Sequence, residues 1–475
     1  MKAIRIGGRL RRLRQERHLA QVQMAEELGI SASYLNLLES GQRPVTVRVL
    51  LRLAERFQLD LGSLAVEEDD RLATALMEAL SDPLFESHDI KASDVKELVA
   101  GLPTLGRAML DLYQAYRRGP AGPDEIGDRL DGESLPIGLP SEEVSDFLQQ
   151  RGNHFVELEE AADELWRRHG LGLHSLFRDL VDVLTKSYAV DVDVLPATQL
   201  DGLLRDYNPL TRRLRLSEML PPPSRIFQLA CQIGYLAYRN DIDKLVSSGK
   251  FTSAQSEALA RSALTNYFAG AVMMPYDRFL AAARATRYDI TILQHRFGVS
   301  FEQTCHRLTT LRRAGAEGVP FHLIRVDIAG NISKRFSASG IHIARFGAAC
   351  PRWNVYDAFA TPGMLRLQIS RMPGGESYFC VARTVQPAGR SVGRGGALMS
   401  RGGQLSIGLG CTVGHARELV YADGLDLDDE TLVTPIGVSC RVCPRQDCAD
   451  RAVPALAQKL DIDENQRRQS AYVSS

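Results

Sequence analysis

The sequence of 475 residues contains no long uninterrupted run of apolar residues. A membrane-spanning helix needs about 18 or more of them. The first residues, Met1 to Arg5, lead into a charged segment. They have neither the apolar centre nor the cleavage site of a secretory signal. We therefore expect a cytoplasmic protein without membrane association.

Cysteine and net charge are also low. The chain has 8 Cys and a formal net charge of -1, which excludes a disulfide-stapled mini-protein and a uniformly basic chain. Four of the 8 Cys follow residue 410, which in a cytosolic chain favours metal or redox chemistry over disulfides. Residues 1–62 contain eleven Lys or Arg against six Asp or Glu. This basic segment indicates contact with a polyanion, although a solvated charged surface is the alternative.

Two short amphipathic segments form the centre of the basic region. Residues 21–28 carry apolar side chains at helical spacing, and Gly29 follows where a left-handed residue often ends a helix. Ser31 is a suitable N-cap for a second helix over residues 32–39. A helix, a glycine-containing turn and a second helix form the helix-turn-helix arrangement.

Residues 4–64 closely resemble the lambda-repressor-like, Xre-type DNA-binding domain, with matching core, turn and polar positions between Gln21 and Arg43. The resemblance implies that the second helix enters the major groove of operator DNA with its N-terminal residues at the base edges. A small helical protein-interaction domain is the alternative. The candidate DNA-binding residues are Gln21, Ser31, Ser33, Tyr34, Asn36 and Arg43.

Residues 67–123 are predicted to contain further amphipathic helices and a linker. Apolar stripes occur over residues 72–80 and 95–116, and the Gly- and Pro-rich segment 117–123 ends the region. Helix-turn-helix proteins commonly pair on two half-sites, so these helices are the candidate dimerisation element of a homodimer or higher homo-oligomer. Packing within one subunit is the alternative.

Residues 124–320 are predicted to be mostly helical with a little sheet. We expect long helices over 141–169 and 173–187, strands over 190–195 and 214–216, and a helix over 225–239. The segment Arg225 to Ala237 resembles the catalytic helix of ImmA/IrrE-like metallopeptidases. Asn266 to Pro275 resembles the second signature of that family.

The zinc chemistry of those peptidases is missing. A zincin needs two His four residues apart and an intervening Glu as general base, and these positions hold Cys231, Tyr235 and Gln232. We therefore expect no peptidase activity and a cleft reused for a ligand. Arg suits phosphate groups and Tyr offers a flat apolar surface, although the Tyr residues could simply be core. The candidate cofactor-binding residues are Tyr207, Arg213, Arg215, Tyr235, Tyr238 and Tyr267.

Residues 321–475 change to β-like runs, and they end in a cysteine motif. Strands are predicted over 321–328, 341–344, 365–370, 378–384 and 405–409. The motif Cys440-x2-Cys443-Pro-x3-Cys448 places three thiols within nine residues, which indicates a metal site. Iron–sulfur clusters usually take four Cys, and zinc accepts the same ligands. Cys411 is the first choice for the fourth ligand and Cys350 the second.

The order of these parts resembles the short-chain fatty acyl transcriptional regulators, which include propionate-responsive regulators of methylcitrate and glyoxylate genes. The resemblance implies short-chain acyl-CoA as the effector and a [4Fe–4S] cluster in the Cys-rich segment. The expected fold is α+β with four parts: an all-α DNA-binding head (1–66), the helical region (67–123), a mixed middle domain (124–320) and a C-terminal domain with an antiparallel sheet (321–475). The alternatives are a zinc peptidase that cleaves a repressor and a purely redox-responsive DNA-binding regulator.

Overall fold

The computed structural model of the protein describes most of the chain in separate ranges. Within them, no helix is both long and apolar enough to cross a membrane. Residues 1–20 except Arg14, the linker after residue 117 and the tail after residue 455 lie outside the described residues. The described residues are 21–39, 67–82, 92–117, 140–345, 349–386 and 403–455, with Arg14, Arg43, Val49, Arg52, Phe85 and Ile90.

The described part of the N-terminal third is helical, as the periodicity predicts. Its helices α1 and α2 form the head, and α3 to α5 pack together around a core that contains Leu76, Val95 and Leu110. The elements are α1 (Gln21–Leu28), α2 (Ala32–Glu39), α3 (Glu67–Ala79), α4 (Ala92–Gly101) and α5 (Pro103–Arg117).

The single long helix predicted over 141–169 is wrong. Two helices, α6 (Pro140–Gln150) and α7 (Val156–His169), occupy this stretch. Gly152 and Asn153 between them adopt φ angles of 60° and 52°, the left-handed region that an α-helix excludes. The next helix, α8 (Leu176–Tyr188), agrees with the predicted 173–187 within the usual uncertainty of helix ends.

A small sheet follows α8. Its strands are β1 (Asp191–Leu195), β2 (Arg205–Asn208) and β3 (Arg213–Ser217), in the order β1-β3-β2. β3 pairs parallel to β1 and antiparallel to β2. Leu214 and Leu216 of β3 are fully buried. Because side chains alternate along a strand, Arg213 and Arg215 point to the opposite face.

Helices form the remainder of the middle domain. The first of them begins at Pro222, where the fixed φ of proline suits a helix start. A Cβ added at Gly234 would lie 3.0 Å from the ring of Phe268, so glycine permits close packing of α9 against α11. These helices are α9 (Pro222–Ala237), α10 (Arg239–Ser247), α11 (Ala254–Met273), α12 (Tyr276–Ala285), α13 (Ile290–Phe297) and α14 (Phe301–Leu308).

The C-terminal domain contains the expected antiparallel sheet. The strand order is β5-β4-β8-β7-β6-β9, and the pairs are antiparallel except β6 with β9. The strands are β4 (His322–Asp327), β5 (Ile332–Ser337), β6 (Arg366–Arg371), β7 (Ser377–Val385), β8 (Leu405–Thr412) and β9 (Val433–Pro435), with short helices α15 (Asn354–Asp357) and α16 (Val413–Ala416). The strand predicted over 341–344 is wrong, since this segment has no regular structure and its Ile341 and Ile343 pack into the core.

One buried core continues from the middle domain into the C-terminal sheet. It includes Phe268 and Val272 of α11 together with Leu323, Phe379 and Leu409 of the sheet. A second core, around Ile341 and Trp353, covers the other side of the sheet. The chain thus passes from its middle to its C-terminal part without a break in apolar packing.

Candidate functional site

The helix-turn-helix head has the local geometry that its sequence predicts. Gly29 has a φ of 62° after α1, and the Oγ of Ser31 accepts a hydrogen bond from the backbone N–H of Tyr34 at 3.1 Å. Ser31 therefore caps α2. The two helices pack through fully buried Leu28 and Leu35, so their relative position is set by apolar contact.

The predicted DNA-contacting side chains are exposed to different degrees. Ser33 and Asn36 are exposed on α2, and Gln21 donates a hydrogen bond to the Oδ1 of Asn36 at 3.3 Å. Tyr34 is half-buried and packs against the core of the head. Arg43, after α2, is exposed, with its backbone N–H bonded to the carbonyl of Leu37. Ser33 and Asn36 are thus available to base edges and Arg43 to phosphate.

The structure adds one arginine that the motif did not single out. Arg52 Nη1 donates hydrogen bonds to the carbonyl oxygens of Leu28 at 2.8 Å and Gly29 at 3.3 Å. These carbonyls belong to the end of α1, where the helix leaves its last acceptors unpaired. Arg52 stabilises the turn rather than extending the set of base contacts.

The middle domain brings the former catalytic positions of a metallopeptidase together. The thiol of Cys231 on α9 donates to the Oδ1 of Asn266 on α11 at 3.5 Å. The guanidinium of Arg205 lies 5.3 Å from the ring centroid of Tyr235. Burial raises the pKa of Cys231 to about 12, so this side chain is a neutral thiol at neutral pH. These positions thus bring a cation next to an aromatic ring, and the buried Gln232 between them is no general base.

The predicted ligand residues of the small sheet lie on two faces. Tyr207 is directly opposite Leu214 on the face that packs against the helices. Arg213 and Arg215 project from the other face, where they form ion pairs with Asp193 at 3.3 Å and with Asp206. The sheet therefore separates these two arginines from Tyr207 and Tyr235. Arg205, which sequence reasoning missed, supplies the cation on the helix-facing side.

The other two predicted tyrosines, Tyr238 and Tyr267, lie in different environments. Tyr238 packs against Phe268 with ring centroids 4.9 Å apart, and burial raises its pKa to about 12. Tyr267 donates a hydrogen bond to the Oε1 of Glu159 at 2.6 Å. Arg307 binds both oxygens of that carboxylate, at 2.6 and 2.8 Å. Tyr267 thus belongs to a buried charged network.

The C-terminal domain gathers four cysteines around one cavity. Its lining includes Cys350, Cys440, Cys443 and Cys448. Burial raises the pKa of the Cys350 thiol, and the nearby Cys440 and Cys443 act in the same direction. Cys350, the second choice for a fourth ligand, therefore lies beside the three cysteines of the motif. Cys411 is fully buried on β8 opposite Phe379, in the core shared with the middle domain, and it does not line the cavity.

A buried arginine organises the cysteine loop. Arg451, 4% exposed, donates to the carbonyl oxygens of Cys440 at 2.8 Å and Cys443 at 3.2 Å, and to that of Arg445. A Cβ at Gly437 would lie 2.9 Å from the sulfur of Cys443, so glycine leaves room for the thiol there. Among the described residues, no three His, Cys, Asp or Glu side chains are grouped closely enough to hold a single metal ion.

Comparison with known proteins now identifies the family. The model described as "Short-chain fatty acyl coenzyme A regulator, C-terminal" matches residues 310–472. An IrrE N-terminal-like peptidase model matches 185–309, and a helix-turn-helix model matches 10–64. HTH-type transcriptional regulator RamB of Mycobacterium tuberculosis is 41% identical over 98% of both chains. The chain belongs to the short-chain fatty acyl coenzyme A regulator family.

Two further relatives and a solved structure are also named as regulators. HTH-type transcriptional regulator PrpR of Mycobacterium tuberculosis is 39% identical over 99% of this chain and 96% of its own. The propionyl-CoA carboxylase regulator of Cereibacter sphaeroides is 40% identical over 97% and 96%. A solved Mycobacterium tuberculosis transcriptional regulator, 39% identical, matches with a TM-score of 0.66 and covers 71% of this chain and 100% of that one.

These findings confirm the predicted family and the α+β multidomain fold of the regulator. They establish a helix-turn-helix transcriptional regulator, and its relatives are named as regulators although the middle domain matches a peptidase model. Residues that the sequence analysis did not use as site residues are Arg52, Arg205, Glu159, Arg307 and Arg451. A lone arginine or glutamate has no motif around it, so only its neighbours in space show its role.

Proposed function

We propose that the regulator binds operator DNA through α2 and changes its DNA affinity when a short-chain acyl-CoA binds the middle domain. The observation that carries the proposal is the contact of Arg205 with Tyr235, at the place of the expected cleft, where Gln232 stands at the position of the peptidase base. The relative that is named propionyl-CoA carboxylase regulator supports a short-chain acyl-CoA as the effector. A ligand shifts such an equilibrium only if it binds one state more tightly than the other.

The chemistry of the cleft suits a CoA ester. The guanidinium of Arg205 offers several fixed donors for a phosphate or pyrophosphate oxygen. The ring of Tyr235 offers a flat apolar surface to the adenine or the acyl chain. Buried Cys231 remains an uncharged thiol and so does not repel the anionic ligand.

Calorimetry on the full chain tests the effector. Propionyl-CoA is titrated beside free CoA and free propionate, and we expect the ester to bind most tightly. Arg205→Gln should weaken binding by about tenfold, because it loses a charge-assisted hydrogen bond. Arg213→Gln is the matched control, since Arg213 projects from the other face of the sheet. Equal losses in both variants, or indifference to all three ligands, would contradict this assignment.

We further propose that Cys350, Cys440, Cys443 and Cys448 hold a [4Fe–4S] cluster. All four line one cavity, and Arg451 places its positive charge on the carbonyls of the same loop. In a cluster, each thiolate binds a different iron atom, so the sulfurs need not converge on one point as they do on a zinc ion. A zinc site with the same ligands is the alternative.

Anaerobic purification tests the metal and its ligands together. We expect brown protein with iron and sulfide, which Cys350→Ser should lose. Cys411→Ser is the matched control, because its buried side chain lies outside the cavity. Loss of iron from Cys411→Ser but not from Cys350→Ser would reverse the assignment. Colourless protein with one zinc per chain would replace the cluster by zinc.

We also infer a homodimer or higher homo-oligomer, since helix-turn-helix proteins commonly occupy paired half-sites. The exposed leucines of the helical region, Leu102, Leu105 and Leu112, offer an apolar surface at the spacing of a helix–helix seam. Sedimentation equilibrium of the full chain measures the state directly. A monomer at concentrations that saturate the operator would contradict the inference.

A further inference from the structure

Five charged side chains from three separate parts of the chain meet beside the C-terminal domain. Arg335 belongs to β5, and Arg345 lies in the irregular segment after it. Glu142 and Asp146 belong to α6, and Glu78 belongs to α3 of the helical region. These parts are the N-terminal helical region, the first helix of the middle domain and the C-terminal domain.

Arg345 contacts both of the other parts. Its backbone N–H donates to the Oε2 of Glu78 at 3.0 Å. Its guanidinium forms ion pairs with Asp146 and, at 3.6 Å, with Glu142. Burial alone would lower the pKa of Arg345, but the surrounding carboxylates raise it, so the residue stays charged.

The contact to α6 has a second, independent support. Arg335 forms an ion pair with Glu142. The side chain of Gln149 donates to the carbonyl of Ser337 at 2.7 Å and accepts from its N–H at 2.9 Å. Helix α6 is therefore fixed to the C-terminal sheet at several points. In contrast, the bond between Arg345 and Glu78 holds α3 against a segment without regular structure.

The contact between Arg345 and Glu78 is largely buried. Glu78 is 3% exposed, and the side chain of Arg345 is 18% exposed. A charge that is removed from water in this way needs its partners, and loss of one of them leaves the others unpaired. Loss of a buried contact of this kind costs more stability than loss of an exposed surface pair.

The position of Arg345 connects it to both ends of the molecule. It lies five residues before Cys350, and the adjacent Ile343 and Ala344 pack in the same core as Cys350. On the other side, α3 begins at Glu67, three residues after the helix-turn-helix match ends at residue 64. A movement of the Arg345 segment would therefore reach α3, the first described helix after the head.

We propose that Arg345 and Glu78 form a latch that fixes the helical region to the C-terminal domain and so lets that domain set the orientation of the DNA-binding head. The latch rests on the proposed function, since it transmits the effect of a ligand to the DNA. Coupling of this kind requires an element with two arrangements that both sites influence. Closed and open forms of this contact are those arrangements.

The test uses the full chain with the substitutions Glu78→Leu and Glu78→Ala, which remove the carboxylate that accepts the backbone N–H of Arg345. Arg417→Gln is the control, because the pair of Arg417 with Asp428 is exposed and lies in the same domain. Three quantities are measured: hydrogen exchange of residues 72–79, operator affinity with and without propionyl-CoA, and propionyl-CoA affinity by calorimetry. If Glu78→Leu does not fold, Glu78→Ala carries the test alone.

We expect hydrogen exchange in residues 72–79 to rise about tenfold in both latch variants and to remain unchanged in the control. The change in operator affinity on adding propionyl-CoA should shrink to within about twofold of no response. The affinity for propionyl-CoA itself should stay the same. Unchanged exchange together with a preserved operator response overturns the latch.

The design separates failure of the latch from failure of the proposed function. If the wild-type protein shows no operator response to propionyl-CoA, the proposed effector is wrong. The latch is then judged without ligand, by exchange in residues 72–79 and by operator affinity. An affinity shift of about fivefold in both latch variants supports it, and wild-type values overturn it.

Discussion

At the scale of single residues, the middle domain depends on one buried ion pair. Glu159 and Arg307 are 3% and 2% exposed in their side chains, and they form a bidentate pair. Burial alone would raise the pKa of Glu159, but the charge and hydrogen bonds of Arg307 hold it below its usual range. Arg307 also donates to the carbonyl of Met274 at 2.9 Å. One guanidinium thus joins α7, α11 and α14.

Replacing Arg307 by Met should lower the free energy of unfolding by about 3–5 kcal/mol, because Glu159 would keep a buried charge without its partner. Urea denaturation followed by circular dichroism measures the loss. In the control Lys186→Ala, which removes an exposed pair with Asp182, the change should stay below about 1 kcal/mol. Similar losses in the two variants would show that the buried pair has no special role.

At the scale of elements, helix α2 divides its side chains between a buried face and an exposed face. Leu35 and Leu38 are fully buried against α1, whereas Ser33 and Asn36 are exposed. Tyr34 is half-buried, so its ring contributes to the core of the head. Removal of the whole Tyr34 side chain would therefore mix loss of folding with loss of binding.

Asn36→Ala should reduce the preference for operator over scrambled DNA by about 1–3 kcal/mol if α2 is the recognition helix that we propose, since the exposed amide can bond to base edges. Tyr34→Phe tests the hydroxyl without disturbing the packing of the ring.

Arg43→Ala should weaken binding to both DNAs alike and lower the salt slope by about 1. Fluorescence anisotropy on the two duplexes at several salt concentrations measures both effects. An unchanged preference in Asn36→Ala would place the recognition surface elsewhere.

At the scale of the whole molecule, the middle and C-terminal domains share one core. Leu323, Phe379 and Leu409 of the sheet pack in the same cluster as Phe268 of α11. Arg287 adds a connection, since it pairs with Asp423 at 2.8 Å. Cys411, on the same strand as Leu409, belongs to this shared core as well.

A fragment that ends at residue 320 should not fold, because the apolar side chains of the middle domain that belong to the shared core would be exposed to water. The fragment 140–455 should unfold in a single cooperative transition by circular dichroism and by tryptophan fluorescence. Independent folding of 140–320, or two separate transitions in 140–455, would show that the shared core does not couple the domains.

Local sequence patterns were sufficient to predict the parts that depend on neighbouring residues. The helix-turn-helix with its Gly29 turn, most strands of the C-terminal sheet and the three-cysteine motif follow from spacing, caps and alternation. The break near Gly152 was missed because glycine within a polar helical pattern does not always end a helix. The irregular segment 341–344 was mistaken for a strand because a buried apolar run looks the same in either state.

Contacts between distant side chains became evident in the folded chain. It replaced Cys411 by Cys350 beside the cysteine motif, and it put Arg205 rather than Arg213 next to Tyr235. The alternation of a strand assigns residues to two faces, but the sequence does not state which face meets the helices. Long-range pairing depends on how whole layers pack, so the fourth cysteine, the cleft and the Arg345 contact could be found only in the folded chain.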